Sequence, residues 1–298
     1  MTAGGFFMRR TILALAALAI TATPAFGAEP VVVQPSSAWN LDYADDKCML
    51  TRLFGDGDST HFLAFQQYWP AREAGVTVAG PSFSRFRSLA RTEVRFFDGH
   101  QPFRTTPFTG SVGGFGTGVI FSNLRPGSGE PEANKLGETG QPGLPQLDVN
   151  FGQQMQFVEL QQGGRTVRLQ TGAMDEAFKA LNQCTLDLLG EWGLDPERHL
   201  TAQSKARWLN EEALVRKILS SYPRDALAQG EQAIMRMRVI VTAEGAVESC
   251  TLIKATNTIR LESSVCDVMQ RARFEPARDA NGQPFRSLFA TSVTYRIG

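Results

Sequence analysis

Histidine is scarce in this 298-residue chain: His61, His100 and His199 are its three. None stands in H-E-x-x-H spacing and no G-x-S-x-G elbow occurs, so zincin and α/β-hydrolase chemistry lack their working parts. An excess of either charge is also missing, with 30 Lys plus Arg against 30 Asp plus Glu. Nucleic-acid binding leans on a cationic face, so no nucleic-acid partner is expected. Beyond the N-terminus no run comes near eighteen apolar residues, so no later segment is expected to span a membrane. The chain has only four cysteines, without a C-x-x-C pair or a neighbouring histidine, and no metal site is expected of them.

The N-terminus carries the strongest signal. Arg9 and Arg10 precede the apolar stretch 11–20, and small residues at Ala25 and Gly27 follow. Positive, apolar, then small is the order of a secretory signal. The reading places the cut after Gly27, the start at Met8 and the mature protein in the periplasm. An uncleaved inner-membrane anchor is the alternative, because residues 11–28 carry no charge. In an oxidising space four cysteines become disulfide material. Three pairings are open, and free buried thiols are the other reading. One bridge per domain is the simplest arrangement, because Cys250 and Cys266 lie close together while Cys48 and Cys184 bracket the first half.

The length suggests two domains. Residues 28–192 read as a mostly antiparallel β domain with one packed helix, in an α+β chain. Short aromatic or β-branched runs at 39–43, 61–65, 93–97, 155–160 and 165–170 alternate as half-buried strands do. Gly163-Gly164 between two of them predicts a hairpin. The segment 125–145 is rich in Gly and Pro and reads as a long mobile loop. Met174, Ala177, Phe178, Leu181, Cys184 and Leu188 fall at helical spacing, with Asp175 and Glu176 in the first turn and Gly190 or Gly193 as the stop. That helix would lie on the sheet with Cys184 able to reach Cys48. Residues 193–217 read as a linker with a short amphipathic helix.

Two local clusters invite a catalytic or ligand reading and do not sustain it. Asp45, Asp46, Asp56 and Asp58 lack the spacing of a calcium loop. The glycine-rich stretch 110–118 lacks Lys-Ser/Thr and a following helix, so it reads as a hairpin loop and not a phosphate cradle. No catalytic residue and no cofactor is expected.

From 218 to 298 the pattern becomes α-β-β-α-β. A short helix after Tyr222-Pro223 stops at Gly230. Alternating strands at 233–242 and 246–253 flank Gly245. A helix over 261–273 ends at Phe274-Glu-Pro276, and residues 287–297 make a final strand. Y-P, the hairpin glycine, R-F-x-P-A and the terminal strand together resemble the TonB C-terminal domain family over about a quarter of the chain. The resemblance implies a three-stranded sheet under helices, in which a Cys250–Cys266 bridge would pin helix to hairpin. It also implies a partner: a peptide of an envelope protein, such as an outer-membrane receptor, added as a strand to the sheet edge. The contacting residues would be Leu288, Phe289, Ala290, Thr291, Ser292, Val293 and Thr294.

Family transducers also have a permanent, histidine-bearing membrane helix and a Pro-rich spacer. Here the first 28 residues hold no histidine, and a β domain takes the spacer's place. Motifs around 39–55 and 180–195 resemble exported α-proteobacterial proteins with a similar tail, which implies no activity. The reading is therefore a non-enzymatic periplasmic adaptor. An anchored energy transducer for outer-membrane transport is the alternative, and an enzyme with its site in the β domain the third.

Overall fold

The computed structural model describes residues 1–2, 29–127, 143–220, 233–254 and 265–295. The signal segment, most of the loop at 125–145, Tyr222, Pro223, Gly230 and the start of the helix expected at 261 lie outside them. The chain is strand-rich and mixed α/β. The N-terminal strands are β1 (Val31–Val33), β2 (Asn40–Ala44), β3 (Lys47–Phe54), β4 (His61–Gln67), β5 (Ala74–Ala79), β6 (Thr92–Arg95), β7 (Phe103–Thr105), β8 (Phe108–Val112), β9 (Gly116–Leu124), β10 (Val158–Gln162) and β11 (Arg165–Leu169). They form a six-stranded sheet in the order β2-β3-β4-β5-β9-β8 and a five-stranded sheet in the order β1-β11-β10-β6-β7. All pairings are antiparallel except that of β1 with β11.

The hairpin expected at Gly163-Gly164 forms with Gln162 opposite Arg165. Both glycines have positive φ, 54° and 79°. A two-residue turn of that hand matches the twist of its strands, and glycine enters it without steric cost. The stretch 110–118 is likewise a hairpin, joining β8 to β9.

The strand expected from Met155 begins only at Val158, because a helix intervenes: α1 (Val149–Gln154). Asp148 caps it, accepting from the amides of Asn150 and Phe151. Gly152 in α1 lets it abut the next helix, α2 (Asp175–Glu191), since a Cβ there would stand 2.8 Å from the Phe178 ring. Met174, Phe178, Leu181, Cys184 and Leu188 are all fully or almost fully buried, so the helical period faces the core as read. Trp192 follows, and the stop is Gly193 in the left-handed region, with the Leu194 amide returning to the Leu189 carbonyl. Cys184 bonds Cys48 on β3, their Cα atoms 6.1 Å apart.

The C-terminal part comprises α3 (Pro196–Leu200), β12 (Arg207–Trp208), α4 (Glu211–Ser220), β13 (Ala233–Val241), β14 (Val247–Lys254), α5 (Val265–Met269), β15 (Phe274–Glu275), β16 (Ala277–Arg278), β17 (Pro284–Phe285) and β18 (Ser287–Tyr295). Three strands make an antiparallel sheet in the order β14-β13-β18. Cys250 on β14 bonds Cys266 on α5 at a Cα separation of 5.6 Å. Residues 193–217 carry the expected helix, yet they are packed and not extended. Ala202, Ala206, Trp208 and Leu214 belong to one core with Met237, Val239, Phe274 and Phe289. Short pairing of β12 with β15 reinforces the attachment.

Candidate partner-binding edge

The central strand β13 is buried on both faces, which alternation along a strand makes legible. Met235, Met237, Val239 and Val241 form one set, of which the last three lie in the core shared with α4 and α5. Ile234, Arg236, Arg238 and Ile240 form the other, and its contacts run to the N-terminal region. Arg236 donates to the Asn123 side chain at 2.7 Å, to the Ser122 carbonyl and to the Ser292 hydroxyl. Its guanidinium also lies over the Tyr68 ring. No carboxylate faces it among the described residues, and burial pushes its pKa down to about 10. Arg238 stacks on Trp192 at 3.9 Å and pairs with Asp46 at 3.1 Å. Ile240 packs with Leu189, Leu194 and Leu288. The C-terminal sheet thus has helices on one side and the β region on the other.

The edge strand is β18, and among the described residues no strand lies along its outer side. The Leu288 amide donates to His199 Nε2 at 3.2 Å, so that amide points away from β13. Antiparallel alternation then turns the backbone groups of Ala290 and Ser292 outward as well, while Phe289 and Thr291 face β13. Side chains alternate in the other sense. Phe289 enters the helical core, and Ser292 turns to Arg236. The edge is therefore not uniformly open. At Leu288 the expectation of an unpaired backbone is amended: its amide is taken and its side chain is partly buried. Among the described residues the unpaired stretch starts at Ala290. Val293 and Thr294 continue the strand opposite Met235 and Ile234.

His199 holds this end by being neutral. Its Nδ1 sits 2.6 Å from the Asp195 carbonyl, which can only accept, so Nδ1 carries the proton and Nε2 is left to accept from Leu288. Desolvation lowers its pKa, opposed by the hydrogen bond to Asp195. Sequence reasoning noted His199 only as a missing metal ligand. Its place beside a strand 89 residues later left no local signal.

The residues singled out at the hairpin and at the end of the helix come together. Gly245, at φ 83°, turns β13 into β14. A Cβ there would lie 2.0 Å from the Phe274 carbonyl oxygen and 3.6 Å from Pro276. The Phe274 amide donates to the Gly245 carbonyl, and the Phe274 ring packs on Trp208 and Phe289. A side chain at 245 would thus strike the segment that closes the domain.

The acidic residues and histidines weighed earlier are dispersed. Asp45 and Asp46 turn β2 into β3 at one end of β3, whereas His61 pairs with Phe54 at the other. His61 is buried between the Ser59 carbonyl and the Ser82 amide. His100 lies against Phe96, Phe97, Phe103 and Phe151. Among the described residues no group of three His, Cys, Asp or Glu could hold a metal. None of the described helices is long and apolar enough to cross a membrane.

No curated protein matches the chain. Residues 219–297, which include the strand edge, the hairpin glycine and the stapled helix, match the family model of the Gram-negative bacterial TonB protein C-terminal.

Proposed function

We propose that this chain is a periplasmic, non-enzymatic adaptor that receives an extended peptide on its C-terminal sheet. In this reading residues 1–27 are an export signal, 28–192 a β-rich domain and 218–298 the TonB-like α-β-β-α-β module, with 193–217 packed onto it. The observation that carries it is the outer side of β18 at Ala290 and Ser292, along which no strand pairs among the described residues. A row of amides and carbonyls without partners is a template for one more strand, and main-chain pairing supplies affinity without a deep pocket. The partner is a segment of an envelope protein, such as an outer-membrane receptor.

A photo-crosslinking residue placed at Thr291 in the full chain, expressed in a Gram-negative periplasm, tests the reading. Crosslinks to an extended segment of one envelope protein, lost in Ala290→Pro, are the expected result. Proline is suited to this position because the amide it removes faces outward, so pairing with β13 survives. Crosslinking unchanged by Ala290→Pro would sink the edge as the site. The anchored energy transducer is favoured by one observation, the family match itself. Sequencing the mature N-terminus separates the two, since a retained residue 8–28 segment supports the transducer.

A further inference from the structure

We infer that the N-terminal β region carries a separate binding site for an acidic oligosaccharide, in a groove at the end of the five-stranded sheet. The groove has a volume of about 940 Å³. It is built where β1 and β11 finish side by side, against the C-terminal end of α1 and the middle of β3. Main-chain bonds make its walls rigid: Gln170 to Val33, Gln156 to Phe96, and Gly172 to Gln156.

Its lining is rich in primary amides. Five glutamines line it, and among the described residues the side-chain amides of Gln34, Gln153, Gln156 and Gln170 have no hydrogen-bond partner. A primary amide offers two donors and an acceptor, which suits vicinal hydroxyls, themselves both donors and acceptors. Among the described residues Arg52 supplies the one charge, and no Asp or Glu lines the groove. Two bonds, to the carbonyls of Ser37 and Thr171, and stacking over Trp39 fix its guanidinium. Two of its five donors are so used, leaving the others for a carboxylate. Phe97, partly exposed, adds an aromatic surface for the apolar face of a sugar ring. An added peptide strand fits less well, because Pro35 interrupts the amide row just past β1. A hydroxylated, carboxylate-bearing chain satisfies all three features together.

The test is calorimetric titration of the full chain with tetragalacturonate, maltotetraose and tetraglutamate. Saturable binding of the acidic sugar in the range of about 1 mM or tighter, with each control at least about tenfold weaker, is expected. Arg52→Gln should abolish it. Because Arg52 also ties two loops, the pair Gln153→Ala and Gln170→Ala, the first exposed and the second half-buried, is the safer probe, and should weaken binding about tenfold with the far-UV spectrum unchanged. Absence of saturable binding, equal binding of maltotetraose or tetraglutamate, or affinity untouched by the double glutamine variant would each overturn the assignment. None of these outcomes depends on whether Ala290→Pro alters peptide capture.

Discussion

The β region and the C-terminal sheet are each closed by one disulfide, but the two bridges do different work. Cys48–Cys184 joins residues 136 apart and ties the packed helix to an early strand. Cys250–Cys266 spans 16 residues and pins a short helix to a hairpin. The cores differ in the same direction. The first is a continuous apolar mass from Val33 to Leu188. The second sheet has apolar side chains toward its helices, and toward the β region two arginines together with Ile240. A mixed contact of this kind, with buried arginines in it, resembles the interfaces between domains more than a core. The comparison teaches that long-range closure and apolar filling fix the β region, whereas the C-terminal sheet is held against it by directed polar bonds beside a small apolar cluster at Ile240.

Removing the long bridge should have the largest effect. In the loop-entropy picture Cys48→Ala with Cys184→Ala loses about 5 kcal/mol, against about 3 kcal/mol for Cys250→Ala with Cys266→Ala. Denaturant midpoints of the two double variants check this, and equal shifts would break the contrast. Gly245→Ala comes next, at about 2–3 kcal/mol, from the positive φ and the collision with the Phe274 carbonyl. Its unfolding should appear in the C-terminal unit alone, as read by hydrogen exchange along β13 and β14.

Arg236→Leu strips donors from three oxygens, two of them in the β region and one on the neighbouring strand β18, and should cost about 1–3 kcal/mol. Proteolysis near residues 193–210 should speed up if this contact, and not the linker, holds the units together. The smallest effect is with pH. Burial lowers the pKa of His61, His100 and His199 below the ordinary 6.5. The unfolded chain therefore binds more protons than the folded one as pH falls below 6.5, so stability is full above that value and declines as pH drops toward the folded pKa values. At His199 the same protonation removes the acceptor of the Leu288 amide, whose protection against exchange should fall as pH drops from 6.5 toward the lowered folded pKa. The His199→Gln variant should flatten that local dependence, and an unchanged profile would refute the assigned role.

Much of the molecule was legible because its signals are local. The Gly163-Gly164 turn, the helical period of α2 and the hairpin at Gly245 each follow from a few adjacent residues. Helix α1 was not legible, since its cap at Asp148 and its glycine against Phe178 acquire meaning only once α2 is in place. The candidate edge was half legible. The final strand showed in alternation, but not which of its amides face outward, nor that one of them is already taken.

Residue order alone determined the periods, the turns and the cysteine positions, because backbone sterics and side-chain alternation act over a few residues. The tertiary structure decided the partners. Glutamines at 34, 153, 156 and 170 share a groove, Arg236 meets Asn123, and His199 meets Leu288 only because the chain folds back across long separations. Those contacts depend on the net balance of burial and hydrogen bonding over the whole fold, which no short window of sequence contains.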